Sequence, residues 1–167
     1  MFRAYIVTVS DSSYFENKKD LSGPTLVNIL TEKGYEVVGR EILPDDREKI
    51  SSVLEMLCDE DKADLILTTG GTGFAKRDVT PEATLDVIEK SVPGFGEIMR
   101  SKSFEITKNA ILSRETAGIR RDTLIINLPG SPKAASENLN FIIDSVEHGL
   151  SILRGEKTDC GNMGDKR

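Results

Sequence analysis

A chain of 167 residues, 38% apolar and 30% charged, has the size and balance of one soluble globular domain with its own core. Its net charge of −6 argues against nucleic acid as the main partner, because a phosphate backbone needs a basic face. No apolar run approaches the ~20 residues of a membrane span, and Cys58 and Cys160 lie far apart, with neither zinc nor disulfide spacing.

The first segment, Arg3 to Ser10 (RAYIVTVS), is rich in β-branched residues and reads as a buried strand. It reads as a strand and not as a secretory leader, so the expected location is the cytoplasm. A polar loop follows (DSSYFENKKDLSG). Pro24 is expected to open an amphipathic helix that Gly34 closes. Tyr35 to Leu43 reads as a second strand, and a helix capped by Asp45 or Asp46 follows, apolar at Ile50, Val53, Leu54 and Leu57. Ala63 to Thr68 (ADLILT) is a short strand of the kind buried on both faces. After a glycine loop, Thr80 is expected to cap and Pro81 to open a helix that Pro93 and Gly94 break. Residues 94–107 read as a further helix, and residues 110–122 as short strands around a turn. Thr123 to Gly130 (TLIINLPG) is a buried strand ending in a turn. Ser131 and Pro132 then start a last helix, with an expected interruption near Gly149, before a polar tail over 155–167.

Strands alternating with helices imply a mostly parallel sheet with helices on both faces. Ligands of such sheets bind beyond the carboxyl ends of the strands. Four loops leave those ends: residues 10–23, Pro44–Glu48, Gly70–Thr80 and Pro129–Lys133. The single histidine, His148, falls late in a helical pattern and reads as a helix-surface residue, so triad chemistry is disfavoured. Carboxylates, hydroxyls, backbone amides and a metal ion remain. Cys58 reads as an apolar helix position.

The stretch TTGGTGFAKRDVTPEA (Thr68–Ala83) fails both the dinucleotide and the Walker phosphate patterns. Gly70, Gly71 and Gly73 can still adopt positive φ and aim amides at an anion, or simply make a tight turn. Thr69, Thr72, Lys76 and Arg77 favour the anion. Asp78 has three readings: a cap-like contact to the next helix, an ion pair with Arg77, or a ligand for a hard cation such as Mg²⁺. Asp45 stands three residues before Glu48, as in a capping box, yet it shares a sheet edge with Asp78. Ser131 and the amides after Pro129 and Gly130 make either a plain cap or an anion seat. Ser10 and Asp11 read as strand-end residues. Ser113 and Arg114 are solvated or reach an acidic ligand, and the runs ENKKD and DEDK read as solvated surface.

Taken together, TVSD, GPTL, LPDD, the glycine loop through TPEAT, PGFGEIMR, ILSRETAGIR and LIINLPGSPKA are similar, in order and spacing, to the molybdopterin-binding family over residues 3 to 154. The resemblance implies a three-layer α/β/α, Rossmann-like domain over residues 1–154, assembled as a homotrimer. It implies transfer of AMP from Mg-ATP to the terminal phosphate of molybdopterin, with release of pyrophosphate. The product would pass to a separate molybdate-insertion protein. By the same resemblance Asp45 and Asp78 are the essential metal-binding acids. Ligand contacts would fall on Ser10, Thr69, Gly70, Gly71, Thr72, Gly73, Ser103, Ser113, Arg114, Asn127, Pro129, Gly130 and Ser131. A family member that only binds or carries the pterin is the alternative.

Overall fold

The computed structural model describes residues 1–156; the expectations for Cys160 and nearly all of the tail lie outside them. Six strands form one sheet: β1 (Arg3–Val9), β2 (Glu36–Leu43), β3 (Leu65–Thr69), β4 (Lys90–Ser91), β5 (Ala117–Arg120) and β6 (Thr123–Leu128), in the order β2-β1-β3-β6-β5-β4. The first four in that order are parallel, while β5 and β4 pair antiparallel at one edge. The helices are α1 (Asp11–Phe15), α2 (Ser22–Glu32), α3 (Arg47–Asp59), α4 (Thr80–Val87), α5 (Pro93–Ile106) and α6 (Pro132–Leu153), with a 3₁₀ turn at Lys108–Leu112. Among the described residues no helix is long and apolar enough to cross a membrane.

The strand pattern explains the layering. Successive side chains of a strand face opposite ways, so a strand covered on both faces is apolar throughout. In β3, Leu65 and Leu67 join a core that includes residues of α2, α5 and α6, whereas Ile66 joins the opposite core with α3 and α4. In β6, Leu124, Ile126 and Leu128 face the first core and Ile125 the second. The sheet is thus the middle of three layers. The chain steps from β1 outward to β2 and returns to β3 on the other side of β1, which opens a crevice between the ends of β1 and β3.

Several local expectations change. The loop after β1 begins with a short helical turn, α1, because extended Ser10 caps it by accepting from the Ser13 amide at 3.2 Å. Helix α2 starts at Ser22, ahead of Pro24: its N-cap, Leu21, gives no side-chain bond, and Asp20 Oδ1, one residue earlier, accepts from Gly23 N at 3.0 Å. The Asp20 side chain is buried, not solvated, and its other oxygen accepts from Thr8 Oγ1 at 2.9 Å. Thr80 is the first residue of α4 and not its cap, and α4 ends at Val87 because Ile88 turns extended and feeds the edge strand β4. Pro93 and Gly94 start α5. Residues 110–122, expected as short strands around a turn, contain one strand only: Ala110–Leu112 end the 3₁₀ turn, and Ala117–Arg120 pairs with the next strand, β6. Helix α6 runs through Gly149 without interruption, held by Val146 and Leu150 in the core.

Candidate active site

A cavity of about 610 Å³ opens at the β1/β3 crevice. Its walls come from the loop after β1, from Asp45 after β2, from Thr69, Gly70, Gly71 and Asp78 after β3, and from Gly130 and Pro132 after β6. All four strand-end loops thus meet at one place. Lys18 and Lys19, from a run expected to be plain surface, also line it.

Asp45 and Asp46 divide the two duties that the sequence left open. Asp46 caps α3, accepting from Lys49 N at 3.0 Å. Asp45 is left for the cavity, where its Oδ2 accepts from the Asp11 amide at 2.9 Å. Burial raises the Asp45 carboxyl above its ordinary pKa; the Asp11 amide opposes the rise, and the nearby charges of Asp11 and Asp78 add to it. The Asp11 carboxyl moves the other way, lowered chiefly by its bond to Arg77.

The glycine turn is shaped by close approach. Gly70 has φ +102°, and a Cβ there would collide with the backbone oxygen of Val9. Gly71 has φ +66°, and a Cβ there would strike Thr80 Oγ1 and lie 3.1 Å from Asp45 Oδ1. Gly73 does not take positive φ, contrary to expectation. The Gly70 amide is consumed by Leu128 O at 3.1 Å, so the turn offers amides only from Gly71 onward. Thr69 Oγ1 donates to Pro129 O at 2.7 Å, and its hydroxyl proton ties the glycine turn to the turn after β6.

Asp78 Oδ2 accepts from Ala75 N at 3.0 Å, which closes the loop on itself. Arg77 pairs with Asp11 instead of Asp78. Arg114 is not a solvated arginine. Its guanidinium donates to Gly73 O and Asp78 O, each at 2.8 Å, and pairs with Glu82, while its amide donates to Thr72 O. Ser113 Oγ lies 3.5 Å from Thr72 Oγ1.

Not every expected contact residue faces this cavity. Ser103, Ser113 and Pro129 line a smaller one of about 210 Å³, walled also by Met99, Ile106 and buried Glu115. Gly130 lines the larger cavity and Pro129 the smaller, so the two lie on either side of one turn. Ser131 caps α6, accepting from Ala134 N at 3.2 Å. Asn127 is fully buried: its amide nitrogen donates to Thr68 Oγ1 and Thr84 Oγ1, and its oxygen accepts from Thr116 N. Those bonds occupy the side chain and keep it in the wall behind the glycine loop. Cys58 is buried, and burial pushes its thiol up to about 11, which removes it as a nucleophile.

Two features escaped the sequence. The Asp11–Arg77 pair joins residues 66 positions apart; only the TVSD motif hinted at the first of them. Thr80 Oγ1 is buried without a hydrogen-bond partner beside the bare Gly71 Cα. Among the described residues no group of three or more His, Cys, Asp and Glu side chains is placed to hold a metal ion by itself. A cation at this edge would draw on Asp45 and Asp78 and complete its shell from a ligand or water.

A mostly parallel sheet with a crevice at its switch point, lined by a glycine turn and several carboxylates, defines a Rossmann-like α/β domain. The chain matches the model of the "Probable molybdopterin binding domain" over residues 5–148, and it belongs to that family. The molybdopterin adenylyltransferase of Helicobacter pylori strain J99 is 42% identical over 152 residues, covering 90% of this chain and 86% of that one. That of Escherichia coli K12 is 42% identical over 155 residues, covering 89% and 79%. Among solved structures, the molybdopterin biosynthesis enzyme MoaB of Thermus thermophilus superposes with a TM-score of 0.88 at 43% identity, over 93% of this chain and 98% of that one.

Proposed function

We propose that this chain is a molybdopterin adenylyltransferase, moving AMP from ATP to the terminal phosphate of molybdopterin and releasing pyrophosphate. The observation that carries the proposal is the meeting of Asp45 and Asp78 with the Gly70–Gly71 turn on one cavity. Family membership and the names of relatives at 42% identity support it.

The chemistry suits a chain with a single histidine. A phosphate oxygen of molybdopterin, already ionised at neutral pH, attacks the α-phosphorus. A new P–O bond forms, the α–β bridging P–O bond breaks, and its electron pair leaves on pyrophosphate. No proton must be removed, so the protein's task is positioning and charge stabilisation. Mg²⁺ fits the donors present, which are hard oxygens: two carboxylates and the unpartnered Thr80 hydroxyl beside the cradle that a Gly71 Cβ would fill. Bound there, the ion would neutralise phosphate charge and favour departure of pyrophosphate. Lys18 and Lys19 bring further positive charge to the cavity wall. The larger cavity, where Lys18, Lys19 and the glycine turn meet, would take the phosphates, and the smaller, more apolar one the flat pterin ring.

The same proposal extends to assembly as a homotrimer. Helix α5 and the 3₁₀ turn leave Ile98, Phe104, Ile106, Ile111 and Leu112 exposed, an apolar surface that partner subunits would cover. A cytoplasmic location and hand-over of the product to a separate insertion protein complete the reading.

The test is to incubate the protein with molybdopterin, ATP and Mg²⁺ and to follow pyrophosphate. Pyrophosphate release that requires molybdopterin is expected. Pterin binding without pyrophosphate would replace the proposal with a carrier function.

A further inference from the structure

We propose that Asp11 is a positioning residue for Asp45, and that Arg77 holds Asp11 in place for that task. The inference rests on the reactive role proposed for Asp45.

The ladder between β1 and β2 continues one step past the strands, with Ser10 N donating to Leu43 O at 2.9 Å. Beyond that step, main-chain pairing gives way to a reciprocal exchange. The Asp11 amide donates to Asp45 Oδ2 at 2.9 Å, and the Asp45 amide donates to Asp11 Oδ1 at 3.0 Å. Each carboxylate is thus anchored on the other's backbone.

Asp45 needs such an anchor. Before it stands Pro44, which has no N–H to give, and after it stands Asp46, whose amide is turned back onto Pro44 O at 2.8 Å and whose side chain is spent on capping α3. The bond to Asp11 fixes the backbone of Asp45 from the opposite loop.

The exchange brings two anions together in a partly buried place, a repulsive arrangement unless charge is supplied. Arg77 supplies it. Its Nε and Nη2 reach the two Asp11 oxygens at 2.7 and 2.9 Å, a bidentate fork of the strong kind. Arg77 lies in the glycine loop next to Asp78, so one chain of contacts runs from that loop through Asp11 to Asp45. Its outer end is exposed and its inner end is at the cavity wall. Asp11 thereby couples the two loops that carry the reactive acids.

The test compares Asp11→Ala, Asp11→Asn and Asp45→Ala by steady-state pyrophosphate release with molybdopterin, ATP and Mg²⁺, and by amide hydrogen exchange of the free protein followed by NMR. Asp11→Ala should lower kcat about tenfold or more while KM values stay within about threefold, the pattern of lost positioning rather than lost binding. The Asp45 amide should exchange about tenfold faster or more. Asp11→Asn keeps Oδ1 as acceptor for the Asp45 amide but loses the charge and one of the two oxygens that Arg77 grips, so both quantities should recover in part, to values between those of Asp11→Ala and the wild type. A purely structural role would not give rescue at one named amide. If Asp45→Ala is inactive while Asp11→Ala turns over like wild type, the positioning role is overturned and the proposed function stands. If Asp45→Ala itself turns over normally, the role given to Asp45 fails, and this inference with it. An Asp45 amide that is unprotected in the wild type also overturns it, and that measurement needs no variant to fold.

Discussion

Replacing Asn127 by Ala separates a wall residue from a ligand contact. The side chain is fully buried and makes three hydrogen bonds, at 2.9 Å to Thr68 Oγ1, 2.8 Å to Thr84 Oγ1 and 3.3 Å from Thr116 N. Thr68 lies in β3, Thr84 in α4, and Thr116 just before β5, so one amide ties three segments together behind the glycine loop. A typical buried hydrogen bond contributes about 1 kcal/mol net, and stranding a part-buried donor such as Thr116 N–H costs about 1 kcal/mol or more. Thr84 keeps its bond to Thr80 O at 3.0 Å and loses less. The sum for Asn127→Ala is roughly 2–4 kcal/mol. At about 2–4 °C per kcal/mol for a chain of this size, the melting temperature should fall by roughly 4–16 °C. Urea unfolding followed by circular dichroism measures the loss directly, as a lower midpoint at unchanged slope. A variant that unfolds within about 0.5 kcal/mol of wild type would refute the reasoning, because surface positions behave that way and buried struts do not.

Four further outcomes are expected. Asp78→Asn should fold normally, since its Oδ can still accept from Ala75 N, yet lose most pyrophosphate release; wild-type turnover would end its proposed metal role. Gly70→Ala should be destabilised by at least about 1 kcal/mol in urea titration, because φ +102° and the Val9 oxygen both reject a Cβ; an unchanged midpoint would contradict this. Burial alone would raise the Asp64 carboxyl, but hydrogen bonds from the Arg3 amide, the Arg3 guanidinium and Arg154 override it and lower the pKa. The stabilisation is therefore present above the unfolded value of about 4 and is lost as pH falls through the depressed folded value, so Asp64→Asn should flatten the acid limb of a stability–pH curve. If the proposed trimer forms through the exposed apolar face, Ile111→Lys should shift it towards monomers in light scattering; an unchanged mass would clear that residue of the proposed interface.

How far the sequence foretold this differs by element, for physical reasons. The strands β1, β3 and β6 were legible because burial on both faces demands unbroken apolar runs, and Val7, Ile66 and Ile125 need a second core as surely as Ile6, Leu67 and Ile126 need the first. The two-residue strand β4 was illegible: Lys90 and Ser91 carry no strand pattern and pair only because β5 lies beside them. The five-residue helix α1 is likewise too short for a period to show. Of the site, Asp45 and Asp78 could be named because carboxylates at strand ends are visible in one dimension. Whether Asp45 or Asp46 would cap α3 could not be decided, since both precede the helix and only geometry separates them. The anchoring of Arg114 is invisible in one dimension, because two of its partners, Gly73 and Asp78, lie 41 and 36 residues away and offer main-chain oxygens that leave no mark on the sequence.

Those main-chain partners share a logic. Each loop at the cavity is tied to a neighbour by a side chain that binds backbone. Asp11 takes the Asp45 amide, Arg114 holds the carbonyls of Gly73 and Asp78, Thr69 donates to Pro129 O, and Ser22 Oγ donates to Gly130 O at 2.6 Å. Loops bound only through their own backbones would wander, and a transfer that depends on alignment loses rate steeply with small displacements. Nucleotidyl transfer between two polyanions has no proton step through which a strong base could compensate for such a loss. A site that works by charge placement must therefore invest in the fixity of its acids. The polar residues that hold these loops are, on this argument, as necessary to the reaction as the two aspartates proposed to hold the metal.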